Sequence, residues 1–184
     1  MKYELKNCRT GEKACYPTTV TVEDFGDRIR FFFEGEHSSY YCPYRGYNKI
    51  HSDGDIFEIL IGSDPNREYY YEIQVNPQND FFLAKMHYGG TDEKGLPVLT
   101  PNFVRECFLQ GGAEKTKNGF RAVITLAKKD ILTGEGEIYF NAYRIETDGG
   151  ETDKHLFALF PTMQSKFHVP TSYRFLKDYA SKKE

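Results

Sequence analysis

Residues 56–77 read Ile-Phe-Glu-Ile-Leu-Ile-Gly-Ser-Asp-Pro-Asn-Arg-Glu-Tyr-Tyr-Tyr-Glu-Ile-Gln-Val-Asn-Pro. Two apolar runs flank a turn at Asp64-Pro65-Asn66. Phe57, Ile59 and Ile61 share one parity in the first run. Tyr71, Ile73 and Val75 share one in the second, with Tyr70, Glu72 and Gln74 between them. Successive side chains point to opposite faces of a strand, so the pattern predicts a β-hairpin. Asn76-Pro77 ends it, because proline has no N–H to give to a ladder.

With Phe57, Ile59 and Ile61 turned to a core, Glu58 turns the other way. Tyr70, Glu72, Gln74 and Asn76 do the same on the second strand, which predicts one outward polar patch. A hairpin symmetric about Pro65 sets Glu58 opposite Glu72. Two facing carboxylates are unfavourable unless a proton, a cation or a ligand intervenes. A register shifted by two sets Glu58 opposite Gln74 instead, and the sequence leaves both open.

The same period recurs along the chain. Residues 27–36 carry Ile29, Phe31 and Phe33 on one face. Residues 81–87, 103–109, 119–127, 137–145, 156–160 and 173–176 read as further strands. Residues 89–101, rich in Gly, Pro and Thr, read as a long loop. Residues 128–133 read as a short irregular or helical link, and 147–154 as a polar loop. Many short strands without a long helical period predict an all-β fold. The expected architecture is one two-sheet antiparallel β-sandwich domain over residues 1–184.

Composition excludes several classes. At 184 residues, 39% hydrophobic and 28% charged, the chain can bury a core. No run approaches the about 20 apolar residues of a membrane helix, so no membrane partner is expected. The net charge is −3 and Lys and Arg are scattered, so no nucleic-acid partner is expected either. Cys8, Cys15, Cys42 and Cys107 form no CxxC pair, which gives no support for a zinc site. The N-terminus lacks the basic segment and apolar stretch of a signal peptide. That predicts a cytoplasmic protein with reduced thiols, or an extracellular one if the chain is a trimmed piece.

Five segments, in order, resemble the family-9-type carbohydrate-binding modules and their DOMON-like relatives. They are Gly26-Asp27-Arg28-Ile29-Arg30-Phe31, Asp55-Ile56-Phe57-Glu58-Ile59-Leu60-Ile61, Tyr70-Tyr71-Glu72-Ile73-Gln74-Val75-Asn76-Pro77, Phe140-Asn141-Ala142-Tyr143-Arg144-Ile145 and Phe167-His168-Val169-Pro170. The resemblance implies a two-sheet sandwich that binds a sugar between two aromatic rings and catalyses nothing. It implies that Glu58 stands for the family's ligand-binding Glu, and Asn76 for its Asn. Gln74 stands where an Arg is expected, and Gln164 where an amide touches the sugar. Phe167 stands where the second sandwiching Trp belongs. The first Trp falls near Ser52, which cannot replace it, and the chain holds 14 Tyr and 15 Phe but no Trp. Tyr41, Tyr44, Tyr47 or His51 would then lend the missing ring. Glu72 and Asn141 complete the candidate ligand-binding set. The cluster Tyr40, Tyr41, Tyr44 and Tyr47 reads equally as the rim of a cleft or the plug of one end of the sandwich.

Other chemistries are weaker. Glu58 and Glu72 offer the carboxylate pair of a glycosidase, the alternative enzymatic reading. A non-sugar interaction domain is the alternative binding reading. His51, Ser52 and Asp53 are consecutive and cannot converge as a triad. Asp53-Gly54-Asp55 and Asp64, Asn66 and Glu68 are oxygen-rich, so a structural calcium is conceivable, but turn chemistry explains them equally. Met86, Met163, His87 and His168 are the haem-ligand types present, and adjacent Met86 and His87 point to opposite faces of a strand. No catalytic residue, metal ligand or cofactor is therefore assigned.

Overall fold

β-branched and aromatic residues at every second position lay down two sheets. The computed structural model describes residues 1–36, 40–50, 54–105, 108–150 and 154–183. Its strands are β1 (Lys2–Glu4), β2 (Lys6–Asn7), β3 (Thr18–Asp24), β4 (Arg28–Glu36), β5 (Ile56–Gly62), β6 (Tyr69–Val75) and β7 (Phe81–Thr91). They continue with β8 (Pro97–Phe103), β9 (Gln110–Lys115), β10 (Gly119–Ala127), β11 (Tyr139–Glu146), β12 (His155–Ala158), β13 (Arg174–Phe175) and β14 (Ser181–Lys182). A one-turn helix, α1 (Lys128–Ile131), follows β10. The smaller sheet runs β1-β3-β4-β10-β9, with β14 also on β3; the larger runs β2-β12-β11-β5-β6-β7-β8, with β13 also on β11. The expected β-sandwich is the fold observed.

Val20, Val22, Ile29, Phe31, Phe33, Phe120, Ile124 and Leu126 line the inner face of the smaller sheet. Phe57, Ile59, Ile61, Ile73, Val75, Phe140 and Phe157 meet them from the larger one. Phe57 stacks between Phe33 (4.8 Å) and Phe120 (4.1 Å). One charge lies in this apolar layer. Arg144 is fully buried, bonded to Thr18 Oγ1 (2.6 Å) and paired with the equally buried Glu146 (2.5 Å). Gly35 makes room for it: a Cβ there would lie 2.6 Å from the guanidinium.

The structure departs from the sequence reading in several places. Residues 89–101 are not a long loop. They complete the β7–β8 hairpin, whose turn is closed by Asp92 Oδ1, which accepts from the backbone N–H groups of Lys94 and Leu96. The predicted strand 103–109 does not form at its described residues, because β8 ends at Phe103 and Val104, Phe108 and Leu109 turn in to the core. At the N-terminus, β3 alternates buried Thr18, Val20 and Val22 with half-buried neighbours, and it was not anticipated.

β5 and β11 are buried on both faces. The inner face meets the other sheet. The outer face is covered by residues 161–173, which cross the larger sheet after β12.

Candidate functional site

The β5–β6 register is the shifted one, with Glu58 opposite Gln74 and Leu60 opposite Glu72. Tyr143 of β11 stands opposite Glu58 on its other side. The two carboxylates are therefore diagonal neighbours rather than a facing pair. Gln74 Nε2 donates to both, to Glu58 Oε2 at 3.0 Å and to Glu72 Oε1 at 2.6 Å. This separates the acids without dispersing them. Glu58 is 1% exposed, and Glu72 and Gln74 not at all. The outward patch expected from alternation does face away from the inter-sheet core, yet it is buried.

Burial, and then the charge of Glu72, raise the Glu58 carboxyl well above its ordinary range. Burial lifts Glu72 to about 8, against the opposing pull of the Gln74 amide. Glu58 Oε1 has no hydrogen-bond partner.

The covering segment supplies the rest. The Phe167 ring stacks on Tyr143 at 4.3 Å and 20°. The Tyr143 hydroxyl donates to the Phe167 carbonyl (3.0 Å) and accepts from Asn141 Nδ2 (2.8 Å). His168 places Nδ1 2.8 Å from the Tyr70 hydroxyl and Nε2 3.5 Å from Glu72 Oε2. Arg67, held at a positive φ of 58° in the β5–β6 turn, donates to the carbonyls of Pro170 (2.9 Å) and Tyr173 (3.2 Å). Lys166 reaches the Gly95 carbonyl in the β7–β8 turn. Thr162 Oγ1 lies 3.1 Å from the buried Cys8 thiol. The segment is thus fastened to the sheet at both ends and through Phe167 in its middle.

Of the predicted site residues, Glu58, Glu72, Gln74, Phe167 and Asn141 come together. Asn141 is spent on holding the cover, because its amide nitrogen also donates to the Phe160 carbonyl (2.8 Å) and Ser172 Oγ (3.2 Å). Asn76 does not join them. Its Oδ1 accepts from the backbone N–H groups of Gln78 (3.0 Å) and Asp80 (2.9 Å), which builds the turn to β7. Gln164 is exposed on the covering segment, and Tyr44 is 51% exposed. Tyr40 and Tyr47 pack on the inter-sheet core, with Tyr47 donating to the Val104 carbonyl (3.0 Å), so these two plug one end of the sandwich. His51, Ser52 and Asp53 lie outside the described residues.

In the oxygen-rich loops, the described Asp64 and Asp55 carboxylates accept from backbone N–H groups. Asp64 Oδ2 accepts from the N–H groups of Glu68 (2.8 Å) and Tyr69 (3.3 Å). Asp55 accepts from Tyr41 N (2.9 Å), Thr147 N (3.0 Å) and Thr147 Oγ1 (2.8 Å). Met86 packs in the outer cluster, while His87 stacks on Tyr69 (4.7 Å). Sequence reasoning put Tyr70 on the outward patch without giving it a role, and passed over Tyr143 and His168 as parts of this site. Parity marks Tyr70 as sharing the face of Glu72, and His168 adjoins Phe167. Phe103 was also missed: it is 54% exposed and edge-on to Phe82 (5.8 Å) on the same face.

No family model matches this sequence, and no curated protein matches it. Solved structures do. A candidate carbohydrate-binding protein from Bacteroides uniformis ATCC 8492 aligns with a TM-score of 0.69 at 12% identity, over 94% of this chain and 84% of that one. A family-9 carbohydrate-binding module from Caldicellulosiruptor kristjanssonii, in complex with glucose, aligns at 0.60 and 11% identity, over 94% and 82%. A family-9 module from the same organism, in complex with cellotriose, aligns at 0.57 and 9%, over 87% and 72%. The chain has the β-sandwich fold of the family-9 carbohydrate-binding modules.

Proposed function

We propose that this protein binds a carbohydrate without transforming it, on the outer face of the larger sheet around Glu58, Glu72 and Gln74. The observation that carries the reading is Glu58 Oε1, a buried acceptor with no partner, set among the rings of Tyr70, Tyr143 and Phe167. A sugar needs apolar flat surface for its C–H faces and fixed donors and acceptors for its hydroxyls. Glu58 Oε1 meets a hydroxyl as acceptor when ionised and as donor when protonated, and Gln74 orients it. Phe103, exposed on the same face, offers a ring at the margin. The fold it shares with modules bound to glucose and cellotriose supports the same reading. With Glu58 only 1% exposed, a sugar reaches it when residues 161–169 shift off the face.

The carboxylate pair does not suit glycoside cleavage. One amide nitrogen bridges the two groups, which leaves no room for a glycosidic bond between them, and burial favours the protonated form of both. A non-sugar interaction domain is favoured by one observation: a face of the Phe167 ring is already taken by Tyr143.

Isothermal titration against mono- and disaccharides, reducing and reduced, tests the proposal. Saturable heat that Glu58→Ala abolishes supports it, and loss on reduction puts the anomeric end in the site. No heat with any sugar moves the function to the interaction reading.

A further inference from the structure

Gln74 binds Glu58 Oε2 and Glu72 Oε1. The other oxygen of Glu72 lies beside His168, whose Nε2 is 3.5 Å from it. One donor atom from each of Glu58, Glu72 and His168 lies within 4.8 Å of the others. A point central to three atoms that close is at most about 2.8 Å from each, and side-chain rotation of under about 1 Å reaches the ~2.0–2.2 Å of zinc bonds.

Three features separate this trio from an ordinary acidic cluster. Glu58 Oε1 is fully buried and has no hydrogen-bond partner. The His168 ring is oriented through its far nitrogen by Tyr70 (2.8 Å), as metal-bound imidazoles commonly are by a group behind them. Both carboxylates are likewise held from behind, by one amide. Two buried acids beside an imidazole carry an electrostatic cost that a cation relieves.

We propose that Glu58, Glu72 and His168 form a binding site for a single first-row divalent ion of the zinc class, clamping the 161–173 segment to the larger sheet. The donor set of one imidazole nitrogen and two carboxylate oxygens suits zinc. Calcium wants six to eight oxygens and is not served by three buried donors. The ion site needs His168 on the face, whereas the proposed sugar binding needs residues 161–169 moved off it; the ion site therefore does not rest on that function and is measured without sugar.

The test uses the full chain, stripped with chelator and reloaded with zinc or cobalt. A surface group of Cys15, His155 and Asp148 also combines metal-binding types, with His155 Nε2 2.9 Å from Asp148, so His155→Ala provides the background. Zinc retained through gel filtration should stand at one equivalent in the parent and in His155→Ala. It should fall at least tenfold in Glu58→Gln and in His168→Gln, and zinc should raise the melting temperature only where the site is intact. Cobalt should give a visible spectrum without a thiolate charge-transfer band. Equal zinc in the parent and in both site variants, or none in the parent, overturns the site. If a variant fails to fold, X-ray absorption on the zinc-loaded parent decides: one imidazole and light oxygen ligands support the assignment, and a sulfur ligand refutes it.

Discussion

Phe167→Ala removes the ring that fastens the cover over Glu58 and Glu72. The ring is 7% exposed and stacks on Tyr143. A buried phenylalanine covers roughly 150–250 Å² of apolar surface, so at about 25 cal/mol/Å² its loss costs about 4 kcal/mol. Phe167→Leu keeps most of that area and forfeits mainly the stacking, about 1 kcal/mol. Urea unfolding followed by tyrosine fluorescence measures both, since the chain has 14 Tyr and no Trp. The expected outcome is a lower midpoint with an unchanged slope, larger for Ala than for Leu. Hydrogen exchange should also quicken at the amides of Val169 and Ser172, which bond within the covering segment. A loss below about 1 kcal/mol for Phe167→Ala, with those amides still protected, would mean that the ring does not hold the segment down.

Asn76→Ala should cost about 1–3 kcal/mol, because two turn N–H groups lose their acceptor; urea unfolding measures this, and any sugar affinity should be untouched. Burial lifts the Glu146 carboxyl to about 8 in spite of Arg144. A carboxyl raised on folding stabilises most below its unfolded value, and the effect is lost as pH rises through about 8. Glu146→Gln, which keeps an oxygen for Arg144, should therefore flatten the fall in urea midpoint over that range, and an undiminished fall would clear Glu146 as its source. Burial and then Asp55 raise the Cys42 thiol to about 11. Alkylation at mildly alkaline pH, mapped by mass spectrometry, should mark exposed Cys15 well before Cys42 or the buried Cys8.

The strands that carry two-residue alternation were legible before any coordinates. Ile29, Phe31 and Phe33 stand on one face, as do Phe57, Ile59 and Ile61, and all six lie in the inter-sheet core. Alternation also gave Glu58, Glu72 and Gln74 a common face, but not what lies over it. Residues 161–173 contain no periodic signal, and their place is set by tertiary contacts such as Tyr143 with Phe167. The composition of residues 89–101 misled: Gly89, Gly90 and Pro97 suggested a loop, yet β8 is an edge strand, where proline is tolerated. Asn76 lies apart from the cluster for a related reason. Its parity suits the site, but an Asn before proline is first of all a turn-former, and its side chain is used there.

The path of the first seven residues bears on how the molecule assembles. β1 joins the smaller sheet and β2 the larger one, with Leu5, buried to 2% exposure, at the crossing. Asn7 pairs with Phe157, and Glu23 with Ser181. β1 covers part of β3 from nearby sequence, but β2 waits for β12 and the end of β3 waits for β14, strands about 150 residues on. Contacts this distant are slow to form. On the ribosome, these edges would stay unsealed until residues 155–182 have emerged, and that is the interval in which the nascent chain is most exposed to pairing with a neighbour.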